Sequence, residues 1–109
     1  MHKMNLQDLP FEAINSGQKT IEMRLYDEKR QKIKVGDIIE FSNNSNDIIK
    51  TKVIDIHRFN NFDELYNNFD KEKLGYFEDE VANPNDMSKY YSEEDIKKYG
   101  VVGIEIKKI

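Results

Sequence analysis

Four charged side chains in the first third of the chain have the types and spacing for chemistry: Lys19, Glu22, Arg24 and Arg30. Three of them fall in one run, Gly17-Gln18-Lys19-Thr20-Ile21-Glu22-Met23-Arg24. An arginine holds a phosphate or carboxylate through a planar fork, whereas a lysine acts as a point charge or, when desolvated, as a base. A glutamate accepts from an exocyclic amine or takes part in acid–base work. Together they suit a polar ligand that offers groups of both signs. The same three side chains also suit a salt-bridged strand surface, contributing about 1 kcal/mol or less. Residue type alone leaves both readings open.

The elements that must hold these groups are legible around them. Pro10 suits the start of a helix, where its missing N–H is not needed, and Gly17 suits a left-handed C-cap, so a short helix is predicted over 10–16. Residues 19–26 alternate, with Ile21, Met23 and Leu25 on one side and Thr20, Glu22, Arg24 and Tyr26 on the other. That pattern predicts a half-buried strand, on which Glu22 and Arg24 share a face about 7 Å apart. Before it, residues 1–6 form a weak first strand. After it come one or two helical turns capped by Asp27, a glycine turn at Lys34–Asp37, and a strand over Ile38–Phe41. A polar hairpin loop at Asn43–Asp47 leads into a long strand, Ile48–Phe59, whose alternation slips at Val53-Ile54 and predicts a bulge.

Further on, Asn61 and Glu64 form a capping-box-like pair, and Phe62, Leu65, Tyr66 and Phe69 make an apolar helical face expected in the core. The acidic stretch 76–85 reads as loop. Ser92 caps a last helix that Gly100 ends, and residues 101–106 form the closing strand. Tyr90 and Tyr91 suit either packing or stacking on a base.

The whole bounds what these elements can build. The chain has 109 residues, enough for one domain and too few for two. It contains no cysteine, which removes disulfides, thiolate metal sites and thiol nucleophiles. Its histidines are His2 and His57, so no metal site or cofactor is expected. No apolar run approaches the roughly 18 residues that cross a bilayer, and residues 1–6 lack a signal-like apolar core, so a cytoplasmic protein without membrane contact is expected. The net charge of -4 disfavours bulk coating of nucleic acid. From Lys19 to Lys34, however, six basic residues face three acids, a local +3 that suits a specific anionic ligand.

The run Leu9-Pro10-Phe11, then 14–24 with lysine, glutamate and arginine in the order G-x-K-x-x-E-x-R, and the strand over 33–41 resemble the ASCH-domain family of the PUA-like superfamily. Gly100-Val101-Val102-Gly103-Ile104 fits as well, while residues 70–91 carry little of the likeness. The resemblance implies a single domain over 1–109, an α+β fold built as a small PUA-like β-barrel with flanking helices. It also implies a cleft beside the motif that binds RNA, a nucleotide or a modified nucleoside. Lys19 and Glu22 would face the base, and Arg24 and Arg30 would meet phosphate.

Some small members of the family resemble amidohydrolases that deacetylate N4-acetylcytidine with a lysine, a threonine and a glutamate. Lys19 matches the lysine, but Glu22 stands where the threonine belongs, and Thr20 is not at the matching position. The third residue falls on Glu64 or Glu72. An enzyme of this kind would use Glu22 to activate water while Lys19 polarises the amide oxygen. A protein-interaction module, docking its acidic C-terminal half on a basic partner, is the remaining alternative.

Overall fold

Alternation of apolar residues builds one sheet, and the glycines and caps between the strands decide how it curls. The computed structural model describes residues 1–109. In chain order it contains β1 (His2–Asn5), α1 (Asp8–Asn15), β2 (Ile21–Leu25), β3 (Ile38–Ser42), β4 (Ile48–Phe59), α2 (Phe62–Asn68), α3 (Glu93–Tyr99) and β5 (Val101–Lys108). Short 3₁₀ turns lie at Arg30–Lys32 and Pro84–Lys89. The five strands form a single sheet in the order β1-β3-β4-β5-β2. Only β1 and β3 run parallel; the other neighbours are antiparallel. The sheet curls into a half-barrel flanked by helices, the α+β, PUA-like architecture expected.

β1 and β2 are the two edges, and no ladder joins them. A side chain crosses the gap instead: Arg24 on β2 donates from Nη2 to the carbonyl of Asn5, the last residue of β1, at 3.4 Å.

Two apolar clusters pack the two sides of the sheet. The concave side holds Phe41, Ile39, Ile104, Val102, Val53 and the α1 residues Phe11 and Ile14. The other side holds Ile21, Met23 and Val101 beneath Phe62, Leu65, Leu74 and Met87. Phe62 and Leu65 are thus core, as their spacing predicts, while Tyr66 and Phe69 pack at the cluster's margin.

The caps behave largely as read. Asp27 Oδ1 accepts from the Arg30 N–H, Asn61 Oδ1 from Glu64, and Ser92 Oγ from Asp95. Glu64 reaches back to the Asn60 N–H rather than to Asn61. The bulge also lies where the alternation slips, with Val53 opposite Ile106 and Asp55 opposite Glu105, so that Ile54 is left over.

Two expectations need correction. α1 begins at Asp8 rather than Pro10. The first four N–H groups of a helix have no internal partner, so proline is tolerated anywhere in the opening turn and does not mark its first residue. β2 is buried on both faces, not one. Its outer face lies under the α2 cluster, and its charged face turns into the mouth of the half-barrel, where residues 72–76 cover it.

Candidate functional site

The site begins with the turn that delivers the chain from α1 to β2. Gly17 takes φ 86, which an L side chain adopts only with strain, and the chain folds back so that the Lys19 N–H donates to the Ala13 carbonyl. Thr20 and Ile21 then both donate to the Lys73 carbonyl, at 3.0 Å each. Gln18 Nε2 donates to the Tyr76 carbonyl at 3.0 Å. The segment entering β2 is thereby tied to residues 72–76. Gly75, at φ 103, lies so close that a Cβ there would stand 3.1 Å from Lys19 Cδ.

Lys19 and Glu22, both buried, and the half-buried Arg24 come together as one cluster. Lys19 Nζ lies 3.2 Å from Glu22 Oε1, and Arg24 Nε donates to Oε2 at 2.9 Å, with Arg24 Nη2 2.8 Å from the same oxygen. Glu22 is 2% exposed. Burial by itself pushes its carboxyl up, but the charges of Lys19 and Arg24 and their hydrogen bonds outweigh that, and the group is held below the usual carboxylate range. Arg24 shows the mirror image. Burial lowers its pKa, Glu22 first and Tyr91 second together raise it by more, and the guanidinium is held above its usual value.

These groups line a cleft of about 660 Å³. Leu6, Leu9 and Pro10 form one wall, and Tyr76, Phe77, Met87, Tyr90 and Tyr91 the other. Tyr66 and Tyr76 join hydroxyls at 2.8 Å, and Tyr76 donates to Asp86 Oδ2 at 2.8 Å. Burial first, then this chain of hydrogen bonds, pushes the Tyr76 hydroxyl far above its usual pKa. Tyr91 packs, stacking on Phe62 at 6.0 Å between ring centroids. Tyr90 stays 56% exposed at the rim, and Phe77 is likewise exposed.

The basic patch does not gather here. Arg30 pairs with Asp27 at 3.0 Å and lies outside the cleft; its buried Nε meets no acceptor. Lys29, Lys32 and Lys34 are also outside, because the segment after β2 turns away from the mouth. Within the cleft, Lys19, Arg24 and Lys89 balance Glu22, Glu80 and Asp86. Thr20, Glu64 and Glu72 do not line it, so neither glutamate suggested for a third catalytic position reaches Lys19. Glu64 faces a second, larger groove of about 990 Å³ that contains none of the motif residues.

Sequence reasoning missed Tyr66, Tyr76, Glu80 and Asp86, which come from stretches with no spacing that ties them to β2. It also missed a group on the far side of the sheet, where Asp55, His57 and Glu105 bring their ligand atoms within 4.8 Å of one another.

The family model for the ASCH domain matches residues 4–109. No curated protein shows a significant match. Among solved structures, the crystal structure of the hypothetical protein PH0355 is 40% identical, with a TM-score of 0.79, covering 98% of this chain and 97% of that one. The solution structure of protein PF0455 from Pyrococcus furiosus is 38% identical, with a TM-score of 0.72, covering 99% and 96%.

Proposed function

The chain belongs to the ASCH domain family, and from that premise we propose that its cleft binds a single nucleoside unit, free or within RNA. The observation that carries this reading is the Lys19–Glu22–Arg24 cluster, two of its charges buried, at the floor of a cleft with exposed aromatic rings at its rim. Burying charges is expensive, and a hydrophobic replacement of the same volume is often as stable, so such a cluster favours a role in recognition. Lys19 and Glu22 face the base, donor and acceptor side by side. Tyr90 supplies a stacking surface, as aromatics do for unpaired bases. Arg24 lies on the phosphate side. Arg30 reaches only a phosphate further along a longer strand.

The balanced charge of the cleft refines the ligand. A groove that tracks a phosphate backbone carries excess positive charge and binds with a steep salt dependence. This one holds three bases and three acids, which favours recognition by hydrogen bonds and stacking with shallow salt dependence. A thermal-shift panel of nucleosides, nucleotides and short RNAs tests the reading, because a ligand of the native state raises the midpoint. At least one compound should shift the wild type. Tyr90→Ala, an exposed change, should weaken that compound about 5- to 150-fold, the loss of one stacked base. No shift with any compound overturns the reading, and co-purification of protein without nucleic acid would favour the interaction module.

A second reading is hydrolysis of an amide such as that of N4-acetylcytidine, favoured by the 3.2 Å contact of Lys19 with Glu22. Against it, a carboxylate held below the usual range is a weak base. The hydroxyls that line the cleft are all tyrosines, and those of Tyr66 and Tyr76 are pushed up. Release of acetate, lost in Lys19→Ala and Glu22→Gln, would support it. Absence of turnover by folded wild type over hours would remove it.

A further inference from the structure

The bulge in β4 has a chemical result on the side of the sheet away from the cleft. Before it, Ile49, Thr51 and Val53 point into the concave core; after it Ile56 does, and Asp55 and His57 turn to the opposite side. There Asp55 sits directly opposite Glu105 of β5. Two like charges facing each other across a ladder repel. One nitrogen is aimed between them: His57 Nε2 lies 3.0 Å from Glu105 Oε1 and 3.9 Å from Asp55 Oδ2.

We propose that Asp55, His57 and Glu105 form a binding site for a divalent transition metal of the zinc class. All three ligand atoms lie within 4.8 Å of one another. A tetrahedral ion bonded at about 2.0–2.2 Å holds its ligand atoms about 3.3–3.6 Å apart, so modest side-chain rotation closes the set around it. One imidazole and two carboxylates suit zinc, cobalt or nickel better than magnesium or calcium, which take oxygen alone. The ligands stand on two hydrogen-bonded strands, and Phe69 meets the His57 ring edge-on at 5.1 Å, which limits how the ring turns. The carboxylates are open enough, at 58% and 39% side-chain exposure, to admit the ion and a water as fourth ligand. The metal would neutralise the facing acids and clamp β4 to β5 beyond the bulge.

The test uses the full chain, stripped with a chelator and titrated with Zn²⁺, Ni²⁺ or Co²⁺. Free metal at about ten times Kd should raise the melting midpoint by about 6 °C. Co²⁺ should add visible absorption bands of a low-coordinate site. Glu105→Gln and His57→Gln should each abolish the shift while leaving the metal-free protein folded. The proposal is overturned by no shift at millimolar metal. It is overturned equally by a shift of the same size in His57→Gln, which would move the ion elsewhere, for example to His2 and Asp37.

Discussion

Replacing Arg24 with methionine keeps the stem of the side chain and removes its charge. In the wild type Glu22 is 2% exposed and is held by Lys19 on one oxygen and by Arg24 on the other. The variant keeps the first contact and loses the second, together with the link from β2 to the Asn5 carbonyl. Removing one partner from a buried ionic group costs about 3–5 kcal/mol. For a chain of this length that corresponds to a midpoint lowered by about 12–20 °C at neutral pH.

The pH dependence gives a sharper signature. In the wild type the folded pKa of Glu22 lies below its unfolded value of about 4.5. Its contribution to stability is therefore fully present above that value and is lost as pH falls through the folded pKa. Without Arg24 one of the two cations that oppose burial is gone, and the folded pKa of Glu22 moves up. The variant therefore takes up its proton at a higher pH than the wild type does, and the stability that depends on a charged Glu22 is smaller in it at neutral pH. The gap between the two proteins should be widest near about pH 7 and shrink toward about pH 4. Melts followed by circular dichroism between those limits measure it. A midpoint within about 2 °C of wild type at neutral pH, or a gap that does not change with pH, would refute the account of Glu22 as a carboxylate held charged by two cations.

Two more expectations concern smaller perturbations. Gly75→Ala and Gly36→Ala both place a side chain at positive φ, 103 and 94 respectively, and each should lower the midpoint by about 4–8 °C. Only at Gly75 does the new Cβ crowd Lys19, so only that variant should lose affinity for the nucleoside found in the panel; equal binding by both would separate Gly75 from the site. Asp37 is held below its ordinary 3.8 by the hydrogen bond to His2 first and the Lys34 N–H second. In His2→Ala its titration, followed by NMR, should move up toward that value, and an unmoved midpoint would remove His2 as the main cause.

The parts of this molecule that depend on near neighbours could be read from the chain. The alternation of Ile21, Met23 and Leu25 and the slip at Val53-Ile54 describe local geometry that the structure repeats, as do the caps at Asn61 and Ser92. The parts that depend on distant neighbours could not. The cover over Lys19 and Glu22 comes from residues 72–76, and the aromatic wall from 76–91, stretches with no periodicity to announce them. The apparent basic patch was a count along the chain. In three dimensions Arg24 and Arg30 are paired with Glu22 and Asp27, and the exposed lysines face elsewhere. Asp55, His57 and Glu105 likewise meet only because β4 and β5 are paired across the bulge.

The tie between β2 and its cover sets how the cleft can breathe. The Lys73 carbonyl accepts from both Thr20 and Ile21, and Gln18 holds the Tyr76 carbonyl. Residues 72–76 cannot lift from the floor without freeing both of those amides at once. Thr20 and Ile21 should therefore exchange their amide hydrogens together, at a rate set by one local opening rather than by global unfolding. Anything seated in the cleft would slow that pair in proportion to its occupancy, so the protein carries its own gauge of whether the site is filled.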